Sequence, residues 1–230
     1  MSIDVKQSRF RDASWFEKLS KYTVPIIVGG VGGIGSWLTL FLSRMMGPDN
    51  YLILYDFDKV EEINMAGQLF RMQDIGLLKV AAVKDVVEAF SGYDKIVAQP
   101  DRYDAESLRS PVMFSCFDNM EARKVMFENW LQEAEKYPES IFIDGRLNAE
   151  QFQVYYVTLE WAKKYADTHL FGDGDVEDAA CSYKQTSHFA ASIAAKMVQG
   201  LTGFLDDTYE LPFRYEEIGP LFLTDIDNGS

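Results

Sequence analysis

Apolar positions along this chain fall into short runs alternating with helical stripes. Val24 to Val28 is mostly apolar, and after a glycine-rich turn the stretch Trp37 to Met46 repeats at helical spacing, so the segment reads as strand, tight turn, helix. Tyr51 to Tyr55 predicts a second strand and Leu77 to Phe90 a helix. Lys95 to Gln99 and Val112 to Cys116 predict two further strands, and Glu121 to Lys136 another helix. Ser140 to Ile143 is strand-like. Gln151 to Thr158 carries enough β-branched and aromatic residues to predict a strand, expected to run antiparallel. Residues 160–184 read as a surface crossing loop, because Glu160 to Ala180 is acidic and irregular with Gly172-Asp173-Gly174-Asp175 at its centre. From Gln185 to Phe204 small and apolar residues recur at helical spacing, and Tyr209 to Thr224 predicts short terminal strands. This alternation predicts the α/β class: a Rossmann-like, mainly parallel sheet with helices on both faces and additional antiparallel strands toward the C-terminus. With no repeat, low-complexity segment or long linker, residues 1–230 are expected to form a single domain.

The turn itself is the first chemical signal. Gly30-Val31-Gly32-Gly33-Ile34-Gly35, followed by Ser36, holds four glycines in six residues, more than a tight turn needs. Glycines let the backbone bend and approach a ligand, while unpaired amides and the positive end of the following helix face an anion, most naturally a nucleotide phosphate. Asp56 closes the second strand about 20 residues beyond the last glycine, where a Rossmann-type fold places a carboxylate that accepts from ribose hydroxyls. A spaced polar series follows: Asp58, Asn64, Gln68, Gly76-Leu77-Leu78-Lys79, then Asp118-Asn119 just past a strand, with Arg123 beyond. Hydride transfer needs none of that series. Phosphoryl or adenylyl transfer does, since it rests on amide donors, a lysine and a carboxylate for magnesium. Each residue also has a plainer reading. Asp56 and Asp58 suit solvated loop carboxylates, Asn64 and Gln68 suit exposed helix positions, and Lys79 suits the exposed lysine that commonly opens a helix. Asp118 or Asn119 suits a helix cap, and Arg123 suits a surface pair with Glu121 or Glu128.

Taken together, the glycine turn, Asp56-Phe57-Asp58-Lys59-Val60, Asn64, Gln68, Gly76 to Lys79 and Asp118-Asn119 before Arg123 resemble the ubiquitin-activating-enzyme superfamily, including the adenylyltransferases that activate sulfur-carrier proteins. The similarity covers roughly residues 24–204, and the combination is specific although each piece is not. The resemblance implies adenylation, with magnesium and ATP, of the C-terminal carboxylate of a ubiquitin-like or sulfur-carrier protein ending in glycine. It implies nucleotide binding by Gly30, Gly32, Gly33, Gly35, Asp56 and Asp58, with Lys79 neutralising phosphate charge. Asp118 is then the magnesium ligand, and Asn64 and Gln68 orient the reacting groups. Cys181, ahead of a helix rich in small residues and beside Lys184, stands where single-domain relatives keep a thioester-forming cysteine; a helix N-terminus and a lysine lower a thiol pKa. A homodimer and a downstream acceptor protein are further implications. The chain departs from the pattern at Gly67, where relatives carry an arginine; Arg71, Arg9 and Arg11 are the candidate substitutes. No Cys-x-x-Cys pair is present to hold a structural zinc.

Composition narrows the partners. A formal charge of −14, from 22 basic against 36 acidic residues, opposes non-specific binding to nucleic acid or anionic membrane. The polar opening Met1 to Arg11 lacks a signal-peptide pattern, and Trp37 to Met46 is too short to span a bilayer, so a cytoplasmic location is expected. Cys116, inside an apolar strand, reads as core, and His169 and His188 as structural or exposed. Two other classes remain: an NAD-dependent oxidoreductase, which leaves Lys79 and Asp118 unexplained, and a non-catalytic partner subunit of an activating enzyme, which Gly67 favours. Adenylation of a small-molecule or RNA-attached carboxylate is a related possibility.

Overall fold

In a computed structural model, which describes residues 10, 12–47, 49–137, 139–148, 151–171, 187–206, 210–218 and 223–229, strands and helices alternate as the pattern predicts. The elements are α1 (Ser14–Ser20), β1 (Ile26–Gly29), α2 (Gly33–Met45), β2 (Leu52–Tyr55), α3 (Lys79–Ser91), β3 (Ile96–Gln99), β4 (Val112–Ser115), α4 (Met120–Ala134), β5 (Ile141–Asn148), β6 (Gln151–Val157), α5 (Leu159–His169), α6 (Ser187–Leu205), β7 (Arg214–Ile218) and β8 (Leu223–Asp227). The strands form one sheet in the order β3-β2-β1-β4-β5-β6-β7-β8. The first five run parallel and the last three add antiparallel.

β1 lies between two parallel neighbours, with Gly29 opposite both Tyr55 of β2 and Ser115 of β4. A strand covered on both faces has no polar side, which is why Ile26, Ile27 and Val28 run consecutively and all are buried. Their side chains divide between two cores. Ile26 and Val28 pack with Leu38 and Leu42 of α2, Val83 and Val87 of α3, and Ile193 and Met197 of α6. Ile27 joins Ile53, Phe127 and Trp130 of α4, and Ala162 and Tyr165 of α5. Trp130 is fully buried, and truncating such a side chain to alanine costs about 3–5 kcal/mol.

Several boundaries differ from the sequence pattern. The first long helix begins at Gly33 and not at Trp37, because the glycines of the turn supply its opening residues. The expected crossing loop is corrected over its first part, since Leu159–His169 is helical. Trp161, Ala162, Tyr165 and Ala166 share one side and join the second core, while exposed Glu160, Lys163 and Asp167 lie on the other; the density of charge masks the helical period. The rest of that stretch, including Gly172 to Asp175 and Cys181, lies outside the described residues. β5 continues past Ile143 through Asp144 and Arg146, charges that satisfy each other inside the protein. α1 was not anticipated, for seven residues are too few to display a helical period.

Candidate functional site

The C-terminal ends of β1, β2 and β4 meet at one edge, and the glycine turn leaves from it. Gly30 has φ +81°, and a Cβ there would lie 2.9 Å from the Cys116 carbonyl oxygen. A Cβ on Gly35 would lie 1.9 Å from the Gly30 carbonyl oxygen, so α2 can enter the turn this closely only with glycine at that position. Gly33 opens α2, whose first amides have no intrahelical acceptor. No acidic side chain occupies the first turn of α2 to compete for its dipole. Gly32 is different, for the nearest atoms to its would-be Cβ belong to the Gln68 side chain, at 3.7 to 3.9 Å.

Asp56, immediately after β2, ties this turn to the next strand. Its Oδ2 accepts from the Val31 amide at 2.8 Å and its Oδ1 from the Asp58 amide at 2.9 Å. Burial pushes the Asp56 carboxyl above the ordinary carboxylate range, with the Lys79 charge and the two amides pulling the other way. Asp58 and Lys79 are brought together by a short ribbon: Val60 donates to the Leu77 carbonyl at 2.8 Å, Gly76 to the Val60 carbonyl at 2.8 Å, and Lys79 to the Asp58 carbonyl at 2.9 Å. The Lys79 ammonium then pairs with Asp58 Oδ2 at 2.9 Å. Lys79 is only 8% exposed, so it is not the solvated lysine that usually opens a helix.

Asn64 and Gln68 lie one turn apart, the Gln68 amide donating to the Asn64 carbonyl at 3.0 Å. Asn64 Oδ1 accepts from the Glu61 amide at 2.8 Å and so closes the short 3-10 turn Glu62–Ala66. The following residues are clamped onto α2: Ser36 Oγ accepts from the Leu69 amide at 3.0 Å, and Trp37 Nε1 donates to the Gly67 carbonyl at 3.3 Å. Gln68 Oε1, beside Gly32, is buried without a hydrogen-bond partner. An orphaned buried acceptor of this kind is uncommon and marks a position where a donor from a bound molecule fits.

Asp118 follows β4 on the same edge and is exposed. Asn119, not Asp118, caps α4, its Oδ1 accepting from the Ala122 amide at 2.9 Å. The Asn119 side-chain amide donates to Asp118 Oδ1 at 3.2 Å. Arg123 departs from its anticipated surface pairing with Glu121 or Glu128: it is buried, bonded to Asp144 and to the Phe117 carbonyl. Asp144, Arg146 and Tyr165 complete that buried network and carried no signal in the sequence beyond a carboxylate placed directly after an apolar run. Arg71, a candidate substitute for the arginine absent at Gly67, has its guanidinium paired with Asp74, at 2.7 Å, and with Asp85. Arg9, Arg11 and Cys181 lie outside the described residues. Cys116 is half-buried, and burial drives its thiol pKa far up. His169 packs on Tyr155 with ring centroids 4.6 Å apart, and burial together with the nearby Arg146 charge lowers its pKa to about 4.

The arrangement places amide donors, the Asp56 carboxylate, the Asp58–Lys79 pair and the exposed Asp118 along one sheet edge, where open α/β sheets bind ligands. These residues fit a nucleoside triphosphate. Among the described residues no three His, Cys, Asp or Glu side chains gather around a common point; magnesium held by Asp118 would draw its remaining ligands from phosphate oxygens and water, as this ion commonly does. No helix among the described residues is long and apolar enough to cross a membrane.

A protein-family model described as "ThiF family" matches residues 5–208. Ubiquitin-like modifier-activating enzyme 5 of Caenorhabditis briggsae is 30% identical over 125 residues, 47% of this chain and 28% of that protein. Two crystal structures of E. coli MccB share the fold. The one with ATP superimposes with a TM-score of 0.68 at 13% identity, covering 94% of this chain and 66% of that one. The one with MccA-N7isoASN has a TM-score of 0.71 at 14% identity, again covering 94% and 66%. The alignment thus spans less than a third of the activating enzyme's length and about two thirds of MccB.

Proposed function

The chain belongs to the ThiF family, and from that premise we propose that it is an adenylyltransferase that activates the C-terminal carboxylate of a ubiquitin-like or sulfur-carrier protein with ATP. One observation carries the reading: the glycine turn, Asp56, the Asp58–Lys79 pair and Gln68 form a single connected cluster on the edge that also bears Asp118. A dinucleotide oxidoreductase would use the turn and Asp56 but has no need of a buried lysine held by Asp58.

The chemistry asks little of the protein beyond positioning and charge. A carboxylate is already ionised near neutral pH and needs no general base. Its oxygen attacks the α-phosphorus, the new O–P bond forms as the bond to pyrophosphate breaks, and pyrophosphate leaves with the electron pair. Amides of the glycine turn would hold phosphate oxygens, Asp56 the ribose, and Lys79 the developing charge on the leaving group. Asn64 and Gln68 would orient the reacting groups. Magnesium at Asp118 would supply further neutralisation of phosphate charge. In a second step the Cys181 thiolate would attack the acyl carbon, forming C–S and releasing AMP. Cys116 is unsuited to that role, because burial keeps it a thiol. A homodimer, a cytoplasmic setting and a downstream acceptor belong to the same proposal.

ATP/pyrophosphate exchange with candidate ubiquitin-like proteins ending in glycine tests it. Carboxylate-dependent, magnesium-dependent exchange is the expected result; nucleotide binding without exchange for any candidate would overturn it. The second reading, a non-catalytic partner subunit, is favoured by Gly67 together with the pairing of Arg71 to Asp74 and Asp85. It requires ATP binding only in the presence of another subunit. Cys181→Ala should keep exchange and lose a reductant-cleaved conjugate detectable by intact mass; persistence of that conjugate removes Cys181 from the thioester step.

A further inference from the structure

Asp118 is exposed, and its carboxylate accepts from the side-chain amide of its sequence neighbour Asn119 at 3.2 Å, with no charged side chain of the described residues paired to it. Its position is therefore set by the backbone of the turn. That backbone is gripped from below: the Phe117 carbonyl accepts from Arg123. Arg123 also donates to Asp144 Oδ1 and, at 3.2 Å, to the Gly145 carbonyl, so one planar fork bridges the turn and β5. Asp144 is fully buried. Its Oδ2 accepts from Arg146 Nε at 2.6 Å and from the Tyr165 hydroxyl at 2.8 Å. Arg146 reaches on to the Tyr165 hydroxyl at 3.0 Å and the His169 carbonyl at 2.9 Å, at the end of α5.

A continuous chain of charged hydrogen bonds thus runs from Phe117 through Arg123, Asp144 and Arg146 to His169. Burial opposes ionisation of Asp144, but the charges of Arg123 and Arg146 outweigh it and hold the carboxyl below the usual range. Stability alone does not account for such a network, since buried ion pairs seldom improve on apolar residues of the same shape. What they supply is geometry. We propose that Asp144 is a positioning residue for the nucleotide site: acting through Arg123 it holds the Phe117 carbonyl, and with it the Asp118 carboxylate, in register with the glycine turn, while Arg146 locks the same hub to the end of α5. The proposal rests on the reading of Asp118 as the residue that serves magnesium.

Arg123→Lys tests it, because lysine keeps the charge opposite Asp144 but cannot bridge Asp144 and the Phe117 carbonyl together. In the ligand-free variant, amide hydrogen exchange across residues 117–119 should accelerate. By calorimetry, the gain in ATP affinity on adding magnesium should fall about 10- to 100-fold, the usual effect of losing a residue that orients a metal ligand. ATP affinity without magnesium should stay at the parent value. Asp144→Asn should act in the same direction; if it does not fold, Arg123→Lys decides. Ile141→Val, a core change on the same strand, is the control, lowering melting temperature without altering the magnesium effect. A folded Arg123→Lys variant with the parent's magnesium dependence, or one weakened equally with and without magnesium, overturns the proposal. A parent that binds magnesium-ATP yet catalyses no exchange overturns the adenylation reading instead and leaves the Arg123 effect measurable. A parent whose ATP affinity ignores magnesium overturns the positioning role itself.

Discussion

Lys79 is a buried cation whose partner, Asp58, stands half in solvent, the two side chains being 10% and 50% exposed. The pair is therefore worth well under the roughly 3–5 kcal/mol that breaking a fully buried pair costs, and Lys79 is better explained by the site than by stability. Lys79→Ala should depress pyrophosphate exchange by about 10²- to 10³-fold while binding of the proposed ubiquitin-like partner is kept; equal losses in both assays would contradict its assignment to phosphate. His169 makes the opposite kind of contribution. Its folded pKa, about 4, lies below the reference 6.5, so between those values the unfolded chain binds a proton that the folded protein does not. Stability from this group is present above pH 6.5 and is lost as pH falls toward 4. Thermal melts between pH 7 and 4.5 should show a falling midpoint, and His169→Gln should flatten that slope; an unchanged slope would assign the acid sensitivity elsewhere.

At the level of elements, the decisive piece is the junction of β1 and α2. Val24 to Val28 and Trp37 to Met46 mark a strand and a helix by pattern alone, but the distance between them is taken up by a helix that starts at Gly33, inside the turn. Its entry brings Gly35 against the Gly30 carbonyl. Gly35→Ala should accordingly displace the turn, with a loss of stability of roughly 1–3 kcal/mol from overpacking and a larger proportional loss in nucleotide affinity. Denaturant melts beside ATP titration would check this, and a variant with parent affinity would remove the close approach from the binding argument. α5 teaches a related point. Its charges at Glu160, Lys163 and Asp167 resemble those of a loop, yet a narrow stripe through Ala162 and Tyr165 is enough to seat it on the second core.

For the whole molecule, ligand binding and folding are linked, because the proposed nucleotide site exists only where β1, β2 and β4 end together. Magnesium-ATP at a hundred times its dissociation constant should stabilise the fold by about 2.7 kcal/mol, several degrees in melting temperature for a chain of this length. No shift, with binding shown by calorimetry, would mean that the unfolded chain binds equally well. The sequence by itself determined the α/β class, the order of the strands and of the helices other than α1 and α5, and the glycine turn with Asp56. These are local properties, set by apolar period, by glycine content and by distance along the chain, so neighbouring residues suffice to reveal them. Only the tertiary structure decided that Lys79 is buried against Asp58, that Arg71 is captured by Asp74 and Asp85, and that Arg123 turns inward to Asp144. In each case a charged side chain had several possible partners within reach along the chain. Which one it meets depends on where separate strands and helices end in space, because a buried charge must be paired at the place where packing leaves it.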